Sequence, residues 1–170
     1  MSNKILGSVV DFVAGVLPLD FQTARTGDLV SLRNASVCGI LIVKGVGTDG
    51  DDQTFTLRQA AGVGGTPKDL AVITEYWEKE ALTDLTGTGV WTRVTQTAAA
   101  TIVPGDPSAQ SAAMYYTEVE ADQLDVDNGF DSIQMNNDGA GAAAQLGVVI
   151  YILGGLRHKA TPANLPNAII

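Results

Sequence analysis

The chain runs to 170 residues, enough for one domain with a sizeable core and short for two. A formal net charge of −9 argues against the basic face that a nucleic-acid-binding module needs to neutralise phosphates, and leaves only ten Lys and Arg to build any local basic patch. Charged residues make up 17% of the chain, below the roughly 25% of ordinary globular proteins. The surface is therefore either rich in Thr, Ser, Asn and Gln or covered in an assembly.

Residues 1–27 read as an arm. Val9, Phe12, Val13 and Val16 follow helical spacing, but Gly15 and the valine density oppose a helix and Pro18 ends one. An extended apolar arm docked on a neighbour and a short helix packed on its own domain both satisfy the pattern. From residue 28 strands take over. A short strand over 29–33 is followed by an apolar one over 37–43, which contains the single cysteine, Cys38. One cysteine forms no intrachain disulfide, and in this run it reads as a small core residue rather than a reactive thiol. Residues 53–59 alternate, with Phe55 and Leu57 facing in and Thr54, Thr56 and Arg58 facing out.

After a glycine-rich loop, 70–80 has the charge of a helix but the Val, Ile, Thr, Tyr and Trp content of a strand. A strand is preferred because 90–96 supplies a hairpin partner. Residues 98–110, with Pro104 and Pro107, form a long connection. In 114–121 a strand places Tyr115, Thr117, Val119 and Ala121 on one face. Asn128 and Gly129 mark a tight turn into a strand over 130–135. The run 145–155 is continuously apolar, β-branched and bordered by glycines, the pattern of a strand covered on both faces, and it is too short to span a bilayer. Everything before it must supply sheets or subunits to cover it. Residues 157–170 carry two prolines and end in Ile169 and Ile170, either a frayed tail or a clasp on a partner.

The expected fold class is all-β: an antiparallel two-sheet sandwich, jelly-roll-like, over 28–156, with extended N- and C-terminal arms at 1–27 and 157–170. Strand order is not deducible from these patterns.

The residues offer little chemistry. His158, the one histidine, sits between Arg157 and Lys159 as a solvated basic turn. One Cys and one His do not make a zinc site. The acidic loops 49–52 and 125–129 have the carboxylates a hard cation needs, but neither matches the twelve-residue calcium loop, and aspartates also populate turns. The glycine-rich loop 62–68 lacks the Gly-Lys-Ser/Thr ending of a phosphate-binding loop. Glu118, Glu120, Asp122, Asp125, Asp127 and Asp131 form an acidic set, without an established aromatic platform for a sugar. No cofactor or metal is expected, and no enzyme activity.

Four stretches carry a family resemblance: SVVDFV at 8–13 ahead of Leu17 and Pro18, QTFTLRQA at 53–60, LDVDNGF at 124–130, and AQLG at 144–147 with IYILGGLR at 150–157. Together they resemble small virion structural proteins of tailed bacteriophages. The nearest class is the head decoration, or cement, protein. The resemblance implies synthesis in the host bacterial cytoplasm and a place in the virion, on the capsid exterior. The implied partners are the major capsid protein and other copies of this chain, as a trimer by class analogy, with no nucleic acid and no membrane. Phe12, Leu17, Phe21, Ile169 and Ile170, on the two arms, are the expected interface anchors. The alternatives are a carbohydrate-binding β-sandwich used in host attachment, or a small jelly-roll capsid subunit or other head or tail subunit.

Overall fold

In the computed structural model the chain is described over residues 6–82, 89–105, 111–139, 143–158, 165, 168 and 169. A four-residue helix, α1 (Leu6–Val9), precedes eleven strands: β1 (Asp11–Asp20), β2 (Val30–Ser31), β3 (Val37–Lys44), β4 (Phe55–Ala60), β5 (Lys68–Asp69), β6 (Ile73–Leu82), β7 (Thr92–Ala99), β8 (Thr101–Ile102), β9 (Ala112–Glu120), β10 (Ser132–Asn137) and β11 (Leu146–Gly154). They form two antiparallel sheets. One has the order β1-β11-β3-β9-β6-β7; the other has β2-β10-β4-β5, with β8 also on β4.

The order follows one rule. The first half of the chain, β1 to β4, pairs in reverse with the second half: β1 with β11, β2 with β10, β3 with β9 and β4 with β8. A long antiparallel ribbon folded over in this way, with alternate pairs in alternate sheets, is a jelly roll. The β6–β7 hairpin is an insertion that widens the six-stranded sheet beyond β9.

Between the sheets lies one apolar core. Ile40 and Ile42 of β3, Tyr115 and Val119 of β9, and Val149 and Tyr151 of β11 meet Phe55 and Leu57 of β4 and Ile133 and Met135 of β10. The alternation read in 53–59 and 114–121 holds: Phe55, Leu57, Tyr115, Thr117 and Val119 are buried. The hairpin of 70–80 with 90–96 forms as β6 with β7. The expected connection over 98–110 is shorter: Ala98 and Ala99 continue β7, Thr101 and Ile102 pair with β4, and 106–110 lie outside the described residues.

Three expectations are corrected. Residues 11–20, assigned to an arm, form β1, an edge strand hydrogen-bonded to β11 with two register shifts around Val16. Valines at short intervals suit a pleated surface, and Pro18 is tolerated on an edge strand. The 157–170 segment is not free where it is described: Leu165 and Ala168 pack on the core, and the Ala168 carbonyl accepts from the Ser31 N–H at 3.0 Å. Finally, β11 is covered on one face only. Gly147, Val149, Tyr151 and Leu153 are buried, whereas Val148, Ile150 and Ile152 are partly exposed on the other side.

Candidate interaction surface

Register fixes what the outer face of the six-stranded sheet displays. One row across it reads Ala14, Ile150, Leu41, Tyr116, Trp77 and Arg93, each opposite the next on neighbouring strands. The row on one side is Phe12, Ile152, Gly39 and Glu118; on the other it is Val148, Val43, Met114 and Lys79. Three consecutive strands, β1, β11 and β3, thus present an apolar outer surface. A side chain facing outward from a single-layered sheet would ordinarily be polar. The five-stranded sheet occupies the opposite face, and the described helices are the four residues of α1 and two three-residue 3-10 turns, Ala121–Gln123 and Val126–Asn128. No second layer of the described chain covers this surface.

The expected anchors divide. Phe12 is 55% exposed and Leu17 63% exposed, and with Leu19 and Leu146 they extend the apolar surface over the β1 edge. Phe21 is instead a core residue. It is fully buried, its ring meets Phe55 edge-on with centroids 6.0 Å apart, and its N–H donates to the Gln145 carbonyl at 2.8 Å. The chain turns inward directly after β1, so Phe21 is unavailable as a surface anchor. Ile169 is partly exposed. Ile170 lies outside the described residues.

The other sequence candidates resolve into structural roles. Cys38 is buried, and desolvation pushes its thiol up to about 12. The backbone N–H of His158 donates to the Asn34 side chain at 2.9 Å. In the 49–52 loop, Asp51 accepts from the Ala143 N–H at 2.7 Å, and its carbonyl accepts from the Gln145 side chain, so it ties two loops together. In 125–129, Asp125 accepts from Lys68 Nζ at 2.6 Å and from the Asn128 amide at 2.8 Å. The Lys68 and Asn128 hydrogen bonds hold its carboxyl below the usual range. Lys68 also lies over the Phe130 ring, 4.1 Å from its centroid. Among the described residues, no three His, Cys, Asp or Glu side chains are gathered as a metal site would need, and no helix is long and apolar enough to cross a membrane.

A buried polar cluster escaped the sequence reading. Lys44, at the end of β3, is 1% exposed. Its Nζ donates to the Ser111 carbonyl at 2.7 Å and to the Gly45 carbonyl at 3.3 Å, and lies 3.5 Å from Gln145 Oε1. Burial lowers its pKa to about 8, against the opposing pull of Glu80 and Asp52. A lysine closing an apolar strand ordinarily marks solvent, so nothing in the sequence signalled this.

No protein-family model matches the chain, and no curated protein matches it in sequence. Several solved structures overlap it. The SPBc2 prophage-derived protein YomS does so at 8% identity with a TM-score of 0.42, covering 84% of this chain and 92% of that one. A chain of the disulfide-linked pili of Bacillus endospore appendages gives 16% identity and a TM-score of 0.39, over 87% and 88%. A chain of infectious bursal disease virus, Gx strain, gives 13% identity and 0.37, and here 94% of this chain corresponds to 35% of that one. None of these three reaches a TM-score of 0.5, so the fold assignment rests on strand order and register.

Proposed function

We propose that this chain is a non-enzymatic structural protein of a tailed-phage virion, a decoration protein that binds the outside of the capsid and braces neighbouring capsomers. The observation that carries the reading is the apolar outer surface of β1, β11 and β3, with Phe12 and Leu17 exposed at its edge. Such a surface is stabilised by being covered, at roughly 25 cal/mol per Å² of apolar area before ordering costs. The resemblance of the four framework stretches to phage virion proteins and the jelly-roll strand order support the same reading. The partners are the major capsid protein and further copies of this chain.

The mechanism is contact area. A shell under internal pressure is held by many seams, and a rigid sandwich laid across a seam adds attraction without chemistry. A standard protein contact buries about 800 Å² per partner, and that is the scale of contact this reading asks of the sheet face.

The test is binding to purified capsids lacking this protein. The full chain should attach and raise the temperature at which the shell opens. The Phe12→Ser/Leu17→Ser double variant should fold and attach at least about tenfold more weakly, a loss of ~1.4 kcal/mol. Equal attachment by the variant rules out this surface. Shells that fall apart when the protein is stripped off would make it a capsid subunit instead.

A further inference from the structure

We propose that the β6–β7 end of the six-stranded sheet carries a binding site for a neutral or amino sugar. This site adjoins the capsid-binding surface where Tyr116 meets β3 and extends to the other end of the sheet, where β6 lies about four strand spacings, or ~19 Å, from β1. The chain has two tryptophans, and both are exposed: Trp77 at 39% and Trp91 at 40%. They line one shallow cleft with Tyr116. Trp77 and Tyr116 also wall an adjoining trough that contains Thr74, Glu75 and Glu118. Tryptophan is among the most buried residue types on average, so both on one cleft of an open surface point to a ligand rather than to packing.

The strands hold these rings in place. Trp77 and Tyr116 are cross-strand partners on the outward face of β6 and β9. Tyr116 lies across Gly39 of β3, where a Cβ would come 2.7 Å from its hydroxyl, so only glycine admits the ring in this position. The Tyr116 hydroxyl donates to Glu118 Oε1 at 2.5 Å, and Arg93, opposite Trp77 on β7, pairs with Glu75. The arrangement is set before any ligand arrives, which reduces the ordering cost of binding.

Flat ring faces beside carboxylate acceptors match a pyranose, which has C–H faces and a rim of hydroxyl donors. Aromatic walls with a few placed polar groups are the general form of a small-molecule site. An apolar protein surface docked here would strip water from the carboxylate lone pairs of Glu75 and Glu118 that Arg93 and Tyr116 do not fill, a costly outcome. The net charge of −9 disfavours acidic sugars and leaves neutral and amino sugars as the class.

Because both tryptophans of the chain line this cleft, intrinsic fluorescence reports on it directly. The full chain is titrated into the millimolar range with glucose, galactose, mannose, N-acetylglucosamine and their trisaccharides, and in parallel with choline chloride. A saturable shift with at least one sugar is expected. Trp91→Ala, outside the strands, should weaken it about tenfold or more with an unchanged far-ultraviolet spectrum; Trp77 remains as reporter. Glu118→Gln, an exposed change, should also weaken it and serves if Trp91→Ala misfolds. No shift with any sugar, a shift both variants retain, or a response to choline alone, which marks a cation cage, each overturns the proposal. None of these outcomes depends on whether the protein binds capsids.

Discussion

The hydroxyl of Tyr151, on β11, accepts a hydrogen bond at 2.7 Å from the backbone N–H of Met135, on β10, joining the two sheets through the core. The same hydroxyl donates to the Asp28 carbonyl at 3.2 Å, just ahead of β2. Met135 needs this partner because β2 pairs with β10 only at Ser132 and Ile133. Between that point and the backbone bridge of Asn137 with Arg25, the Met135 N–H has no strand to receive it, and a side chain from the other sheet substitutes.

Tyr151→Phe should therefore cost more than an exposed hydroxyl would. It leaves the buried Met135 N–H short of a partner, at about 1–3 kcal/mol. Urea denaturation should show the midpoint falling with an unchanged slope. A midpoint within error of the wild type would mean that another group already satisfies Met135.

Gly147→Ala should be destabilising despite adding a single methyl group. The new Cβ would fall inside the van der Waals surface of the Phe21 ring, itself wedged against Phe55. Overpacking of this kind costs about 1–3 kcal/mol. Phe21→Ala removes the obstacle at its own cavity cost of about 3–5 kcal/mol. In the double variant the two losses should sum to less than their separate values, as measured by thermal unfolding. Full additivity would show that the two residues do not meet.

Lys44 predicts a pH dependence of known sign. Its folded pKa is about 8, below the ordinary 10.5, so between these values the unfolded chain holds a proton that the folded chain has released. Stability contributed by this group therefore rises with pH across that window, and below about pH 8 the full cost of the buried charge is present. The stability difference between wild type and Lys44→Met, in which other titrating groups cancel, should move in favour of the wild type from about pH 8 to about pH 10. A pH-independent difference would place the ammonium in contact with water.

Cys38 should resist thiol reagents in the folded protein. Burial raises its pKa to about 12 and shields the sulfur, so little thiolate forms at neutral pH. Labelling should require global unfolding and should accelerate with denaturant in step with loss of structure. Rapid labelling in native buffer would show that β3 opens locally.

Period-two patterning made the strands at 53–59 and 114–121 legible, because alternation is a local property of a half-buried strand. The β6–β7 hairpin was legible through residue type and a glycine-rich link. β1 was not, since a bulged edge strand containing proline and glycine has no regular period. The aromatic cleft was not legible: the β6–β7 pairing brings Trp91 near Trp77, but Tyr116 joins them only through the β6–β9 register.

By itself the sequence determined an all-β chain with unusually apolar strands, poor in reactive groups and in positive charge, because composition and short-range periodicity act residue by residue. Only the tertiary structure decided the jelly-roll order, the burial of Phe21 and Lys44, and which face of β11 stays open. Those depend on which distant strands become neighbours. Alternation tells a strand it has two faces, and only its neighbours decide which one meets water.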